Sequence, residues 1–556
     1  MRRWMLLLLA LLAACAAPPP PPTPTPTGPA PTIAAVLAST ASLGRYERID
    51  LTVDAKATYQ NPFDARQVAL SATFTAPSGR VWQVPGFWDA RERWMVRFTP
   101  SEIGTWSYTA TISDTNGLAT STTAQFDVIP SEHKGWLQVA SWVDPGWSPR
   151  YLAYHDGTPF YGVGHCDAFT LGDSRSDANG DLNLLKRMQA NGENLVVWWP
   201  HSTFTFFRDS VTTYDRVDLE LIDSYIASAE RLGIVLVYTI WDHNLLRGPE
   251  HLWGNGRWGN NGFRTITPQA ADFFTDEESW QQQQNLYRYI IARWGYSPAI
   301  MWMPVSELDG TSGGANQDAW HARINAYFVA HDPYRHPTTT ALSGDKDWPA
   351  GFQVTDIPQV HLYAAQNDPM AMGDSIAEWT GRLWQGYAKP NVVGEFGTTK
   401  RSLDLRMLHN GIWSGLVHGA AITPLRWSDR GAWGRMGDRQ MEQMSHFSQF
   451  VEGIPFARLN LAPTAASSSD AAVQAQALQS DRFALVWVQD RQPTGQRSGV
   501  TVQLQGLQPG SYTITPYDTW QGQALAPITA SVGAGQLAIS VPTFTDDIAL
   551  RIEPIP

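Results

Sequence analysis

Between about residues 135 and 455, apolar segments alternate with amphipathic ones, and this alternation limits the fold more than any other feature. Apolar strands separated by helices require a parallel sheet that helices cover. Eight segments qualify as strands: PFYGVG (159–164), NLVVWW (194–199), IVLVYTIW (234–241), AIMWMPVS (299–306), TTTALS (338–343), QVHLYA (359–364), NVVGEF (391–396) and AAITPLRW (420–427). They predict a (β/α)8 barrel over residues 135–455. A doubly wound open sheet is the alternative, but no Gly-rich phosphate loop follows the first strand.

Period-two alternation of apolar residues marks the segments on either side of the predicted barrel. It runs through residues 33–130, as in Val68, Leu70 and Phe74, and returns over residues 457–556. Short strands punctuated by Pro and Gly are typical of small β-sandwiches. The predicted fold class is therefore multidomain, with a (β/α)8 TIM barrel flanked by two small all-β sandwich domains.

The N-terminus has the pattern of an export signal. Residues 1–15, MRRWMLLLLALLAAC, combine a basic start with an apolar stretch too short to span a bilayer. Its end, LAAC, resembles the lipobox of bacterial lipoproteins, in which the cysteine, here Cys15, becomes the acylated first residue. An ordinary secretory signal with an incidental cysteine is the alternative. Residues 16–32 are rich in Pro and Thr and predict an extended linker. We expect an exported protein at the bacterial cell surface or envelope, in contact with the membrane only through this lipid anchor.

Composition narrows the class of partner. Only 17% of the 556 residues are charged and the net charge is -12, which argues against a surface that binds nucleic acid. The chain has 25 tryptophans, and many of them lie in polar, Gly-rich stretches, which favours flat binding platforms over core packing. Sugars have apolar CH faces that stack on such rings. The sequence therefore predicts a polysaccharide or oligosaccharide partner and no nucleic acid.

Polar and aromatic side chains follow the predicted strands at the points where they end. In a (β/α)8 barrel, the loops at the carboxyl ends of the strands build the site. The candidates there are His165, Asp167, Trp199, His201, Trp241, His243, Ser306, Glu307, His361, Tyr363, Glu395 and Trp427. Glu307 and Glu395 end strands four and seven, so we expect them to face each other across the mouth of the barrel.

Two carboxylates in this arrangement suit the cleavage of a glycosidic bond. One protonates the leaving oxygen and the other attacks the anomeric carbon, and in a retaining mechanism they stand about 5–5.5 Å apart. We predict Glu395 as the nucleophile and Glu307 as the acid and then the base, with the pKa of Glu307 raised while Glu395 is ionised. Tyr363 is placed to hold the nucleophile, Trp427 to floor the sugar subsite, and His361 to support either role. A structural or vestigial glutamate pair is the alternative.

Two separated segments resemble known signatures. RYIIARWGYSPAIMWMPVSELDG and PNVVGEFGTT are similar to the strand-four and strand-seven motifs of clan A glycoside hydrolases, especially the cellulase and mannanase-like relatives of family 5. The resemblance implies a TIM-barrel hydrolase of O-glycosidic bonds with a two-glutamate, double-displacement mechanism. Relatives usually carry Asn at the position of Ser306, and an Arg near the end of strand two that NLVVWWPH lacks. These departures leave the sugar open.

Both flanking segments also resemble domains found beside such barrels. RFTPSEIGTWSYTATI is similar to the signature of an uncharacterised sandwich domain, the family numbered 5060, which commonly precedes glycoside hydrolase barrels. GSYTITPYDTWQG is similar to a C-terminal sandwich, sometimes labelled collagen-binding-like, that often closes these hydrolases. For the C-terminal domain, packing against the barrel is the expected role.

Two other functions use parts of the same pattern. His165, Asp167, His243 and His361 are residue types that bind zinc, as in a metal-dependent barrel hydrolase. No HxH pair or barrel lysine at a suitable strand end completes that set, so we predict no metal and no cofactor. A non-catalytic carbohydrate-binding or adhesive lipoprotein would keep the same barrel and aromatic cleft.

The loop after strand three, residues 244–280, is long for a compact domain. Loops of this length are usually functional. Trp253 and Trp258 lie in it among Gly and Asn, with little core to join. We predict that they are stacking platforms of the cleft. The alternative is a lid that packs on the neighbouring sandwich.

Overall fold

The structure is a computed structural model that describes residues 28–89, 91–169, 178–429, 431–493, 495–533 and 535–555. The predicted export signal, Cys15 and residues 16–27 of the predicted linker lie outside the described residues. Buried apolar side chains form separate clusters in the N-terminal, middle and C-terminal parts, which confirms a multidomain organisation. In the described ranges, no helix combines the length and the apolar character that a bilayer crossing requires.

Ten strands form two sheets in the N-terminal part. They are β1 (Thr32–Ala38), β2 (Ser42–Gly44), β3 (Ile49–Lys56), β4 (Val68–Thr75), β5 (Val81–Pro85), β6 (Phe87–Asp89), β7 (Arg93–Phe98), β8 (Gly104–Asp114), β9 (Gly117–Thr120) and β10 (Ala124–Ile129). One sheet has the order β1-β3-β7-β6 and the other β2-β10-β8-β4-β5, with β9 beside β8. Alternate residues of β4 and β8 are buried, because successive side chains of a strand point to opposite faces. The inner faces of the two sheets enclose one apolar cluster.

Strands and helices alternate in the middle part. The strands are β11 (Leu137–Val139), β12 (Leu152–Tyr154), β13 (Pro159–Phe160), β14 (Gly164–Cys166), β15 (Leu195–Trp198), β16 (Val235–Asp242), β17 (Ile300–Ser306), β18 (Thr339–Thr340), β19 (Ile357–Leu362) and β20 (Val392–Phe396). The helices are α1 (Ala140–Val143), α2 (Ala178–Ala190), α3 (Pro200–Thr203), α4 (Arg216–Leu232), α5 (Glu277–Trp294), α6 (Gln317–His331), α7 (Pro349–Val354), α8 (Pro369–Gly386), α9 (Arg401–Val417) and α10 (Asp438–Val451). Asp215, Asp276 and Asp368 cap α4, α5 and α8 by accepting backbone N–H groups.

Parallel pairing connects eight segments of the middle part in a ring. It runs in order from β14 to β17 and from β18 to β20. Single parallel bridges complete the circle: Trp302 with Thr338, Phe396 with Arg426, Cys166 with Trp427, and Gly162 with Ile422. Because the pairing returns to its first strand, the carboxyl ends of all eight segments lie at one edge of the ring.

Three of the predicted strands differ from the structure. Residues 159–164 are not one strand, because Pro159–Phe160 pairs antiparallel with β12 and the parallel strand begins at Gly164. A Cβ at Gly164 would overlap the carbonyl of Leu195, so only glycine allows this approach. The fifth strand shrinks to Thr339–Thr340, and the eighth segment, 420–427, contributes isolated bridges only.

Both backbone and side-chain hydrogen bonds hold the eighth segment. The N–H groups of Leu425 and Thr423 donate to the carbonyls of Val393 and Gly162 at 2.9 and 2.8 Å, so the segment is bonded to both of its neighbours. The guanidinium of Arg426 is buried and donates to both oxygens of Asp404 in α9, at 3.0 and 2.7 Å. It also donates to the carbonyls of Trp427, Trp433 and Gly434, at 2.5, 2.9 and 2.7 Å. A bidentate, fully paired Arg is well suited to this role, because its planar fork has five donors.

The C-terminal part is all β. Its strands are β21 (Ala462–Ser468), β22 (Val473–Gln479), β23 (Ala484–Asp490), β24 (Gln496–Arg497), β25 (Thr501–Gln505), β26 (Gly510–Asp518), β27 (Gln523–Ala524), β28 (Ile528–Val532), β29 (Gln536–Ser540), β30 (Phe544–Thr545) and β31 (Asp547–Pro554). The main sheet has the order β27-β26-β31-β23-β22-β21-β25-β29, with β28 beside β26, and β24 pairs with β30. Apolar residues of strands near both ends of the main sheet form one buried cluster.

Charged side chains fix the N-terminal sheets to the helices of the ring. Arg97 of β7 donates to the two oxygens of Asp223 in α4 at 2.9 and 3.0 Å. Arg293 and Trp294 of α5 donate to the same carboxylate at 2.6 and 2.7 Å. Breaking a buried ion pair leaves an uncompensated charge. The N-terminal sheets are therefore a fixed part of the molecule, with α4 and α5 as their support.

A buried carboxylate connects the C-terminal part to the ring. Asp547, at the start of β31, faces the imidazole of His409 in α9, whose Nε2 is 3.0 Å from both carboxylate oxygens. Trp487, Thr519 and Trp520 donate to Asp547 at 3.0, 2.6 and 2.9 Å. Burial acts to raise the pKa of Asp547, but the charge of His409 and these donors lower it below its ordinary value. The carboxylate is therefore ionised and fully paired.

Replacing Asp547 with Ala is expected to lower the free energy of unfolding by ~3–5 kcal/mol, because several buried donors lose their acceptor. Chemical denaturation monitored by tryptophan fluorescence measures the loss. The matched control is Asp438→Ala, since the Asp438 side chain is fully exposed and pairs only with surface Arg187. We expect this control to change stability by less than ~1 kcal/mol. An equal, small loss in both variants would show that Asp547 does not hold the two parts together.

Candidate active site

Glu307 and Glu395 lie at the carboxyl edge of the ring. The strand β17 is buried along its whole length, and Glu307 follows its last residue. Glu395 is the fourth residue of β20, which is also buried throughout. Glu307 has φ of 52° and ψ of 63°, a left-handed conformation that costs a residue with a side chain about 1–3 kcal/mol. Such backbone strain is typical of functional sites, where the surrounding structure enforces it.

The two carboxylates are close together, with a histidine between them. One oxygen of Glu307, one oxygen of Glu395 and a ring nitrogen of His361 lie within 4.8 Å of one another. His361 Nδ1 is 2.9 Å from Glu307 Oε1 and 3.4 Å from Glu395 Oε2. The nearest oxygens of the two carboxylates are therefore closer than the about 6.5–9.5 Å between the carboxyl groups of inverting glycosidases, which favours the about 5–5.5 Å of retaining ones.

Tyr363 holds the second carboxylate. Its hydroxyl donates to Glu395 Oε2 at 2.8 Å, as predicted from its place one strand away. His361 and Tyr363 are two residues apart at the end of β19, so both side chains lie on the same face and both reach the carboxylate pair. Burial acts to lower the pKa of His361, but the two facing carboxylates raise it. The two carboxylates therefore favour the protonated form of His361.

Of the two carboxyl groups, Glu395 has the higher pKa and therefore holds a proton more readily than Glu307. Burial raises the pKa of Glu395 to about 8, and the charge of Glu307 adds to this, against the opposite effects of His361 and the Tyr363 hydrogen bond. Burial also acts to raise the pKa of Glu307, but the hydrogen bond and charge of His361 lower it below its ordinary value. This is the reverse of the predicted order, because His361 contacts Glu307 more closely than Glu395.

Two basic side chains that follow β16 in the sequence also lie near Glu307. His243 Nδ1 is 3.6 Å from Glu307 Oε2. Arg247 lies further along the loop and donates to the carbonyl of Gly310 at 3.1 Å and to Asn244 Oδ1 at 2.5 Å. His243 is among the predicted residues, but Arg247 is not. A polar residue in a long loop carries no periodic signal, so its position beyond a strand end was the only indication.

Aromatic rings flank the carboxylate pair. The ring centroid of Trp199 is 5.3 Å from that of Trp427 and 5.5 Å from that of Phe169, and Phe169 is 5.9 Å from Trp427. Trp433 packs on Tyr363 at 4.7 Å. Trp199 and Trp427 belong to the predicted substrate contacts, and that role stays a prediction. Phe169 and Trp433 are absent from the predicted set, although both closely follow strand ends.

Four predicted substrate contacts are buried away from the cleft, and two of them are tryptophans. Trp241 has no exposed surface and donates to the hydroxyl of Tyr287 at 2.9 Å. Trp258 packs on Phe273 and donates to the carbonyl of Pro268 at 3.1 Å. Both indoles belong to the core under the long loop, so the prediction that they contact substrate is wrong.

Two histidines are likewise buried. His201 lies between the Phe204 carbonyl and the Tyr238 hydroxyl, each 3.2 Å away, and burial lowers its pKa to about 4. His165 Nδ1 is 2.6 Å from Glu193 Oε2, and neither side chain has exposed surface. These contacts fix the walls of the ring, and we therefore leave both histidines out of the proposed substrate contacts.

Three further predicted residues lie near the carboxylate pair. Asp167 is buried and accepts a hydrogen bond from Ser428 at 3.2 Å, while its second oxygen has no partner among the described residues. Ser306 is buried at the end of β17 opposite Asp242. Trp253 is 41% exposed at the rim. These positions keep all three as candidate substrate contacts.

The same cluster has the spacing of a metal site. Glu307, His361 and Glu395 each offer one ligand atom, and among the described residues they are the one such group. His165, Asp167 and His243, which completed the predicted metal alternative, are not part of it. The short His361 contacts already pair the carboxylates as an ion cluster, which accounts for their geometry without an ion.

Comparison with solved structures shows the class of fold. A structure from Bacteroides vulgatus, described as a candidate glycoside hydrolase, is similar over 93% of this chain and 100% of that chain, with a TM-score of 0.67 and 18% identity. The chain therefore shares the fold of this structure. A glycoside hydrolase of family 5, also from Bacteroides vulgatus, is similar over 76% of this chain and 94% of that chain, with a TM-score of 0.51 and 14% identity.

Sequence comparison identifies the family of one domain. Residues 42–113 match the model of a family described as a domain of unknown function, DUF5060. This confirms the resemblance predicted for the N-terminal segment. The collagen-binding-like assignment of the C-terminal segment stays a prediction. No curated protein matches the chain.

Proposed function

We propose that the protein is a retaining glycoside hydrolase that cleaves O-glycosidic bonds in a polysaccharide or oligosaccharide. We assign the ring as a (β/α)8 barrel and the two β parts as sandwiches that flank it. The observation that carries the proposal is the close approach of Glu307 and Glu395, with oxygens within 4.8 Å at one edge of the ring. This close approach favours the retaining arrangement, in which one carboxylate attacks directly, over the wider separation of inverting enzymes.

In the proposed reaction, Glu395 attacks the anomeric carbon while Glu307 protonates the leaving oxygen. The attack gives a covalent glycosyl-enzyme, and Glu307 then removes a proton from the water that hydrolyses it. The resting cluster holds its proton on Glu395, so this proton must pass to Glu307 before attack. The productive form has the same total number of protons as the resting form. His361 contacts both carboxylates and is placed to relay the proton.

The predicted location completes the proposal. We propose that Cys15 carries a lipid anchor and that the Pro/Thr-rich linker holds the hydrolase away from the bacterial surface. The support is the sequence alone: the lipobox-like LAAC and a linker of Pro, Thr, Ala and Gly that has no large apolar side chain to bury. Labelling with a radioactive fatty acid would test it, with Cys15→Ala as the unlabelled control.

A screen on plant and microbial polysaccharides tests the function. We expect the wild-type protein to release reducing ends from at least one glycan, with the anomeric configuration retained in the first product seen by proton NMR. The control is the double variant Glu307→Gln, Glu395→Gln. If a glycan binds equally to both proteins and neither cleaves it, the barrel is a non-catalytic carbohydrate-binding scaffold and the hydrolase proposal fails. Inversion of configuration would refute the double displacement.

Removing the hydroxyl of Tyr363 is expected to slow this reaction. Tyr363→Phe deletes a hydrogen bond to the proposed nucleophile, and bonds to charged groups contribute ~1.5–3 kcal/mol, so kcat/KM should fall about 10- to 100-fold. The lost bond lowers the pKa of Glu395 in the wild type, so the acidic limb of the pH profile should move to higher pH.

The matched control is Tyr512→Phe, since the Tyr512 hydroxyl donates to the Gln508 carbonyl in the C-terminal part. We expect no change in kcat/KM there. A Tyr363→Phe variant with the rate and pH profile of the wild type would show that this hydroxyl does not act on Glu395.

A further inference from the structure

Trp253 is one of the two tryptophans in the described ranges that stand out as exposed. Its side chain is 41% exposed, and the neighbouring Leu252 is fully exposed. The other is Trp142 in α1, which is 39% exposed. Together the side chains of Trp253 and Leu252 form an apolar surface that the described residues leave open to solvent. Since its loop leaves the carboxyl edge of the ring, this surface lies at the rim of the proposed active site.

One face of the Trp253 indole is fixed by its neighbours. It packs so closely on Gly310 that a Cβ there would collide with the ring. The imidazole of His243 meets it edge-on with centroids 5.6 Å apart, and the guanidinium of Arg247 lies 5.5 Å from the ring centre. The backbone N–H of Trp253 donates to His251 Nδ1 at 3.2 Å. The indole is thus oriented before any ligand binds, which limits the entropy that binding costs.

The neighbours of Trp253 are also the neighbours of Glu307. Gly310 lies three residues after Glu307, and its N–H donates to the Glu307 carbonyl at 2.8 Å. His243 Nδ1 is 3.6 Å from Glu307 Oε2. On the nucleophile side, the corresponding aromatic group is Trp433, which packs on Tyr363 next to Glu395. Trp253 therefore belongs to the Glu307 side of the carboxylate pair.

We propose that the exposed face of Trp253 is the platform of the leaving-group subsite, where it stacks on the apolar face of the sugar ring that departs. The inference rests on the proposed function, in which Glu307 protonates the oxygen of that departing sugar. The group protonated by Glu307 must lie on the Glu307 side, and Trp253 is the oriented indole there. Leu252 extends the platform toward the next sugar of the chain. The ligand is then an oligosaccharide or polysaccharide with at least one sugar beyond the cleaved bond.

Two substrates distinguish a role of Trp253 in binding the leaving sugar from a general effect of Trp253 on activity. The first is the glycan that the wild-type protein cleaves, and the second is the glycosyl fluoride of the sugar released from it. Fluoride is too small to reach Trp253. For Trp253→Ala we expect kcat/KM on the glycan to fall at least ~10-fold, the loss that about 1.4 kcal/mol of stacking would produce. On the glycosyl fluoride we expect a change of less than about twofold, because no stacked sugar is lost.

Three further variants make the test specific. Trp142→Ala removes an indole of equal exposure that also has a guanidinium, that of Arg335, 4.3 Å from its ring centre, and it should leave both rates unchanged. Gly310→Ala displaces the Trp253 ring and should reproduce the selective loss, while Trp253→Phe should retain part of the activity on the glycan. Equal losses on both substrates, or no loss on the glycan, would overturn the subsite. A wild-type protein inactive on all glycans and fluorides would instead overturn the proposed function on which the subsite depends.

Discussion

Glu395→Gln is expected to reduce turnover of every substrate by at least ~10⁴-fold, because an amide cannot form the glycosyl-enzyme. The loss should be the same for a glycan and for a glycosyl fluoride, since both need the nucleophile. A discontinuous assay of released sugar with high enzyme concentration measures the residual rate. A variant that keeps more than about a hundredth of the activity would remove Glu395 from the chemical step.

The same substitution should raise stability in a pH-dependent way. The pKa of Glu395 is raised from 4.5 to about 8 in the folded protein. Between these values the folded state binds more protons than the unfolded state, so its stability falls as pH rises. Gln does not titrate, and we therefore expect Tm of the variant to exceed that of the wild type by ~3 °C or more at pH 8, with little difference at pH 5.

Glu230→Gln is the matched control for the loss of turnover in Glu395→Gln. Glu230 is another carboxyl with a pKa raised by burial, and it lies near the end of α4, on the opposite side of the ring from the site. We expect normal turnover in this variant. A Tm difference between Glu395→Gln and the wild type that did not vary with pH would show that the shared proton is not on Glu395.

Glu307→Gln is expected to slow glycan cleavage by about 10³-fold, because the leaving sugar departs without a proton. A glycosyl fluoride needs no acid for departure. On this substrate the variant should release about one fluoride per enzyme rapidly and then stall, because the second step lacks its base. Stopped-flow detection of fluoride measures the burst. Equal slowing of the first step on both substrates would contradict the role of Glu307 as the acid.

Azide distinguishes the two carboxylates further. In Glu307→Ala, azide should attack the glycosyl-enzyme from the side of the missing acid and give a glycosyl azide of retained configuration. In Glu395→Ala, azide should occupy the space of the missing nucleophile and attack the substrate directly, which gives the inverted product. Proton NMR of the two azides reads the configuration. The same anomer from both variants would contradict the assigned roles.

Much of the fold followed from apolar periodicity, and the exceptions have local causes. All eight ring segments occur in the predicted order. The first differs because Gly164 starts the parallel strand through a close backbone contact, while the preceding Pro159–Phe160 joins a separate hairpin. Apolar runs do not show which neighbour a strand pairs with. For the same reason, the eighth segment reads as a full strand although it makes only single bridges.

The carboxylate pair was predictable and its surroundings were less so. Glu307 and Glu395 were found because strand ends of parallel units meet at one edge. Trp241 and Trp258 were assigned to the cleft because position in a sequence does not tell which side of a strand end or loop faces the core. The order of the two pKa values was missed because it depends on the burial of Glu395 and on three basic side chains near Glu307, His361, His243 and Arg247, which come from two separate segments of the chain.

The contacts of Arg426 determine how this molecule would fail. A closed ring has no free strand edge, and at one seam a single guanidinium that pairs with Asp404 and three carbonyls reinforces the backbone hydrogen bonds. Loss of this guanidinium would weaken the seam, and each opening of the ring there would expose two unpaired strand edges that recruit other chains. Damage at Arg426 would then appear as insoluble protein rather than as a slow enzyme, so soluble yield would report on this seam before any rate does.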